Sequence, residues 1–377
     1  MPPYGSACSG AGQGKHSVNP VQSAFSINTA FRELYVMLSS LPFSLRLVIS
    51  ALAAALTAFA LTPRVRRFAW AVGAVDQPGA RRVNTRAVPR MGGLAIVAGF
   101  VLAVPLVALP DLKLLGILVG GLIIAILGAA DDLLDLRPWQ KLLGQTLAAA
   151  VALRAGLRIQ AVSNLFGPLP FLTLDALSTP MTLLWIVGCT NAVNLIDGLD
   201  GLAVGVSSIA SSTMLAVALL LGEWEAALLL AALSGACLGF APWNRSPASI
   251  FMGDVGAQFL GYVLAVSSIL GLFKFPAAVG FLVPLLAMGL PLCDTVFAFV
   301  RRIAHGRSPF AADRGHLHHR LLAAGYREQQ AVSILLGISA ICGLLAILLV
   351  GAAQTLRVLC LSAIVVVLLA LGTVRRS

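Results

Sequence analysis

The sequence predicts an all-α, polytopic membrane protein with about eleven transmembrane helices. Three observations lead there. The 377 residues are 59% apolar and only 11% charged, against about 25% charged in soluble domains. Apolar runs approaching the roughly 20 residues needed to span a bilayer recur along the chain. The basic residues gather in short loops between those runs, as the positive-inside rule expects. That clustering gives the net charge of +11 a membrane explanation and removes the case for a nucleic-acid partner.

Residues 1–40 hold Gly, Ser, Asn and Gln without sustained periodicity and read as a disordered tail. No basic stretch directly precedes an apolar core at the terminus, so the first apolar run is expected to be a retained span, not a cleaved signal. Spans are expected near 44–62, 91–110, 112–130, 140–157, 180–193, 202–221, 226–242, 256–272, 276–299, 331–350 and 356–374, making 41–377 one transmembrane domain. Gly and Pro inside them are tolerated because neighbouring helices re-satisfy the backbone. The segment 158–179, with Pro168 and Pro170, has the alternation of a small hairpin. The six cysteines show neither disulfide nor zinc spacing.

Alternation across eleven spans puts 63–90, 131–139, 194–201, 243–255, 300–330 and 375–377 on one face. With Lys141, that face carries 18 of the 26 Lys and Arg residues, which makes it cytoplasmic, with the N-terminus outside and the C-terminus inside. Of the 15 acidic residues, six lie in three clusters on that same face. Acids at a membrane boundary are costly against lipid and usually line a cavity or pathway. The clearest acid within a span is Asp294.

The first cluster is Asp131-Asp132-Leu-Leu-Asp135. Adjacent acids repel, and one retains its proton unless a cation such as Lys141 offsets the charge; a solvated helix end explains the cluster equally well. In the second, Asn191, Asn194, Asp197 and Asp200 recur every three residues, a polar stripe if helical, while Gly198 and Gly201 weaken the helix. Such oxygens are the hard ligands Mg²⁺ prefers, with phosphate completing the shell. The third, Phe251-Met-Gly-Asp254, follows Asn244. Phe251 could stack on a nucleobase or simply pack; Asn244 could read a base edge or hold a turn. A fourth stretch runs from Arg301 to Arg320 and holds His316, His318 and His319, three of the five histidines. It suits a diphosphate better than zinc, since no cysteine completes a tetrahedral site. The loop from Asp76 through Arg81-Arg82 to Arg90-Met-Gly92-Gly93 could touch phosphate or lipid headgroups, and a plain charged loop explains it as well. Together these features fit phosphoryl-group chemistry between a soluble and a lipid substrate.

Asp131-Asp132, the segment NAVNLIDGLDGLA at 191–203, FMGD at 251–254 and HLHH at 316–319 resemble, in order, the motifs of the polyprenyl-phosphate N-acetylhexosamine-1-phosphate transferases. The match spans roughly residues 60–330. The loop SPFAADRGHLHHRL looks like the branch that uses undecaprenyl phosphate and N-acetylglucosamine 1-phosphate. The resemblance implies a multi-pass enzyme of the bacterial inner membrane that converts UDP-GlcNAc and undecaprenyl phosphate into undecaprenyl-diphospho-GlcNAc and UMP, with a homodimer as the expected assembly. It also implies roles. Asn194 and Asp254 would hold Mg²⁺, with Mn²⁺ as a substitute. Asp131 or Asp132 would deprotonate or orient the lipid phosphate, and Asp197 would support the metal. Asp200, Asn244 and Phe251 would hold uridine. Arg314, His316, His318 and His319 would bind diphosphate or sugar, and Lys141 stands with these substrate-binding residues. Two positions depart from the family pattern: Asn84 where a His is usual, and Ala257 where a Ser is usual.

Two alternatives stay open. One keeps the chemistry with another UDP-N-acetylhexosamine or the MurNAc-pentapeptide precursor. The other is an ion-coupled transporter, which would need acids near the bilayer midplane and gives no role to the His and Arg loop.

Overall fold

A computed structural model describes residues 37–38, 40–77, 86–108, 111–163, 171–273, 278–306 and 315–351. The expected tail lies almost wholly outside the described residues, as do the span at 356–374, Arg314 and the positions Arg81, Arg82 and Asn84.

The described chain is a helical bundle. In order, the elements are α1 (Phe43–Ala71), β1 (Val75–Asp76), β2 (Val88–Pro89), α2 (Gly93–Val107), α3 (Leu112–Leu134), α4 (Pro138–Arg154), β3 (Ala161–Ser163), β4 (Phe171–Thr173), α5 (Ser178–Ile196), α6 (Leu202–Leu221), α7 (Trp224–Asn244), α8 (Gly253–Gly271), α9 (Ala278–Ala287), α10 (Gly289–Ala304), α11 (Leu317–Ala323) and α12 (Glu328–Gly351). β1–β2 and β3–β4 are antiparallel pairs, and the second is the expected hairpin of 158–179.

Ten of the eleven expected spans fall on helices, yet fewer meet the length and apolarity of a span. Among the described residues seven helices do, or eight with α9 and α10 taken as one broken span. The helix at 93–107 has only 15 residues, and that at 138–154 has 17. The expected span 276–299 bends by 83° between α9 and α10. Pro291 explains the break: its ring would clash with the carbonyl of Ala287, and it has no N–H to continue the helix.

α8 is the axis of the bundle, with every residue from Val255 to Gly271 buried. It packs against α3 and α5, while α1 lies outside against α2 and α7. α1 buries Ser50, Ala54, Ala58 and Thr62, one small residue per turn, and turns Leu45, Val48, Leu52, Leu56 and Phe59 outward. Facing it, Gly235 and Gly239 of α7 rest on the carbonyls of Ala51 and Ala55, with no room for a Cβ. This is how helices pack when lipid is as apolar as leucine: small residues allow close backbone approach.

Candidate active site

One end of the bundle opens into a cavity of about 380 Å³. Its walls come from five of the six segments that alternation assigned to one face. They are Asp76 and Arg90; Asp132; Asp197 to Asp200; Asn244 and Phe251 to Asp254; and His319 with Glu328.

The floor is the start of α8. Asp132, at the end of α3, accepts the Asp254 N–H on Oδ1 at 3.0 Å and the Val255 N–H on Oδ2 at 3.3 Å. A carboxylate on the free amides of a helix N-terminus is stabilised by both hydrogen bonds and the helix dipole. Gly253 makes the approach: it adopts φ +74°, and a Cβ there would strike the Asp132 carboxylate. Behind this pair, Lys141 of α4 forms ion pairs with Asp131 and, at 3.3 Å, with Asp254. The other oxygen of Asp131 accepts the Leu136 N–H at 2.9 Å. Asp131 thus sits behind Asp254 and is not among the cavity-lining residues, whereas Asp132 lines the cavity. Asp135 caps the end of α3 in the left-handed region and is exposed.

The expected polar stripe of the second cluster does not run straight. A step of three residues on a helix turns the side chain about 60° back, and α5 ends at Ile196. Asn191 faces inward, donating to Gln145 at 2.6 Å, and Gln145 donates to Gln258 at 3.0 Å. Asn194 is not among the cavity-lining residues, while Asp197 and Asp200, in the turn beyond the helix, are. Asp200 accepts the Ala248 N–H at 2.8 Å, and its own N–H donates to Glu328 at 3.0 Å. Asn244 is buried; its Oδ1 accepts the Gly201 N–H at 3.2 Å and its Nδ2 donates to the Ile250 carbonyl at 3.1 Å. Of its two sequence readings, the structure supplies the turn: Asn244 ties the cavity's loops together at its wall.

The histidines divide. His316 is buried, with Nδ1 2.9 Å from Asp294 Oδ2, and is not among the cavity-lining residues. His318 is buried between His316 and His319 and lies against Gly198. Burial, and then the neighbouring His319, push His318 down to about 4, so it is neutral at physiological pH. His319 lines the cavity.

The loop ending in PRMGG, for which the sequence left a phosphate contact and a plain charged loop equally open, is part of the cavity wall. Phe251 N–H donates to the Pro89 carbonyl at 2.8 Å, and Gly92 and Gly93 donate to the carbonyls of Phe251 and Met252 at 2.9 and 2.8 Å. Asp76 and Arg90, the ends of the stretch that could touch phosphate, line the cavity, and Glu328 is a cavity residue that sequence reasoning did not single out.

Burial, and then the carboxylates of Asp254, Asp132 and Asp200, push Asp197 up to about 8; burial also raises Asp200. A cavity that penalises its own carboxylates this way favours a bound cation. Among the described residues, no group of three or more His, Cys, Asp or Glu side chains is placed to cage a metal alone.

The fold and the site define a multi-pass membrane protein with an acidic cavity at one end of its helical bundle. Residues 114–272 match the model of Glycosyl transferase family 4. A Bacillus subtilis (strain 168) protein described as "Probable undecaprenyl-phosphate N-acetylglucosaminyl 1-phosphate transferase" is 40% identical over 82% of this chain and 86% of its own length. "Decaprenyl-phosphate N-acetylglucosaminephosphotransferase" of Mycobacterium tuberculosis (strain CDC 1551 / Oshkosh) is 37% identical over 75% of this chain and 77% of its own. "Undecaprenyl-phosphate alpha-N-acetylglucosaminyl 1-phosphate transferase" of Thermotoga maritima is 30% identical over 70% and 78%. The chain belongs to glycosyl transferase family 4, as a multi-pass membrane protein.

Proposed function

We infer that this chain transfers N-acetylglucosamine 1-phosphate from UDP-GlcNAc to undecaprenyl phosphate, giving undecaprenyl-diphospho-GlcNAc and UMP. The observation that carries this reading is the convergence of five sequence-distant polar segments on one acidic cavity at the end of an apolar bundle. The names of the relatives support the same reaction. In this reading the cavity opens to the cytoplasm of a bacterial inner membrane. The chain crosses about eleven times with its N-terminus outside and C-terminus inside, and it works as a homodimer.

Asp254, with Asp197 beside it, would hold Mg²⁺, or Mn²⁺ in its place. When bound, that ion neutralises phosphate charge and draws electrons from phosphorus. Phe251 stacks on uracil, and the wall of Asp200 and Asn244 frames the nucleoside. His319 donates to the sugar or diphosphate. Asp132 takes the proton of the lipid phosphate and keeps Asp254 in place, while Lys141 holds Asp131 and Asp254 together. A lipid phosphate oxygen bonds to the β-phosphorus, the bond from that phosphorus to the bridging oxygen breaks, and UMP leaves with the electron pair. Positioning and charge neutralisation are the main requirements of such a transfer.

The test is purified protein with Mg²⁺ and a panel of radiolabelled UDP-sugars, with and without undecaprenyl phosphate. UDP-GlcNAc should give lipid-extractable label and equimolar UMP only when the lipid is present. No lipid label from any UDP-sugar would sink the reading, and a stoichiometric UMP burst without lipid would replace direct attack by a covalent enzyme intermediate.

A further inference from the structure

We propose that Arg90 is the cavity's phosphate anchor. The inference rests on the transferase reading and deepens it. Among the described residues, six carboxylates line the cavity: Asp76, Asp132, Asp197, Asp200, Asp254 and Glu328. Every substrate in the reading is itself an anion, so the walls alone would repel it. Among the described residues, Arg90 is the one Lys or Arg that lines the cavity. Lys141 sits behind, occupied by Asp131 and Asp254.

Arg90 is also built into place. It follows β2, whose Val88 and Pro89 pair with Asp76 and Val75 of β1, and its N–H donates to the Ala74 carbonyl at 2.8 Å. The buried carboxylate of Asp76 grips Nη2. A guanidinium carries five N–H donors in a planar fork, so this one grip orients the group and leaves donors for an oxyanion. The side chain keeps 29% of its surface exposed. Pro89 and Gly92, flanking Arg90, are hydrogen-bonded to Phe251, three residues before Asp254. One backbone mesh thus holds the anchor beside the carboxylate that would carry the metal. Arginine matches phosphate geometry bidentately, which a lysine point charge does not.

The phosphate could belong to the nucleotide-sugar or to the lipid, and the experiment separates them. Wild type, R90K and R90Q, purified at full length, are compared for inhibition by uridine, UMP and UDP and for KM toward undecaprenyl phosphate. An anchor for the donor predicts that R90Q weakens UDP about 10- to 100-fold, the range for a lost charge-assisted hydrogen bond, with uridine unchanged and R90K between. A rise of similar size in the lipid KM alone, with UDP unchanged, assigns the anchor to the acceptor. Equal loss of uridine and UDP, or no change in either UDP or lipid KM, overturns the proposal. R90K carries the test if R90Q does not fold. If wild type makes no lipid-linked product but binds UDP through Arg90, the transferase reading fails and the anchor stands.

Discussion

Asp294 holds His316 from inside the bundle. Its Oδ2 lies 2.9 Å from His316 Nδ1, and its Oδ1 accepts the Leu317 N–H at 3.0 Å. An acid in the middle of α10 thus seats the short helix α11, which carries His319 to the cavity. The transporter alternative had used Asp294 as its best intramembrane acid, and this pairing gives it a structural partner instead.

Asp294→Ala should therefore lose activity without touching the cavity. Removing two buried hydrogen bonds and stranding His316 should cost about 2–4 kcal/mol. Thermal unfolding in detergent reads the stability, and lipid-product formation reads the activity. Asp294→Asn, which keeps an acceptor for Leu317, should lose less of both. Full activity in Asp294→Ala would separate the HLHH segment from catalysis.

Gly253→Ala should be among the most damaging single-methyl changes. It places a Cβ in the left-handed region and against Asp132, costing about 1–2 kcal/mol from backbone strain alone. Turnover should fall at least tenfold, because the Asp132 contact that fixes Asp254 must open. An activity within twofold of wild type would show that this contact is not needed.

Asp254→Asn should abolish turnover largely through lost metal binding. A Mg²⁺ titration of activity checks this: the variant should need far more metal or never saturate. Near-normal activity at ordinary Mg²⁺ would remove Asp254 from the metal site.

The carboxylate pushed up to about 8, Asp197, sets a pH dependence. Its folded value lies above the unfolded value, so the folded state holds the proton longer, and metal-free stability should fall as pH rises from about 4 to 8. A divalent cation favours the charged form. Mg²⁺ binding at pH 7 should then release protons and tighten as pH rises. Calorimetry in buffers of different ionisation enthalpy measures the release; proton uptake, or none, would contradict it.

Much of the site was legible before the fold was. Asp132, Asp197, Asp200, Asn244, Phe251, Asp254 and His319 all reach one cavity, because span alternation alone sorts loops to one face. What failed depended on tertiary pairing. Asn194, two residues before α5 ends, is not among the residues that line the cavity. His316 left because Asp294, 22 residues away in sequence, captures it. The two readings of the stretch from Asp76 to Arg90 stayed open because a two-residue ladder, too short to show as a pattern, brings its ends together at the cavity. Of the eleven expected spans, the described residues supply seven or eight long enough to cross, because the helices at 93–107 and 138–154 fall short of the needed length.

The amides of Gln145, Asn191 and Gln258 link α4, α5 and α8 one turn inward from Lys141 and Asp254. Surrounded by hydrocarbon side chains, these groups have no water to fall back on if one rod slips lengthwise against another. They index the three rods like the notches of a key, so that lysine and aspartate meet at the same height each time the chain folds.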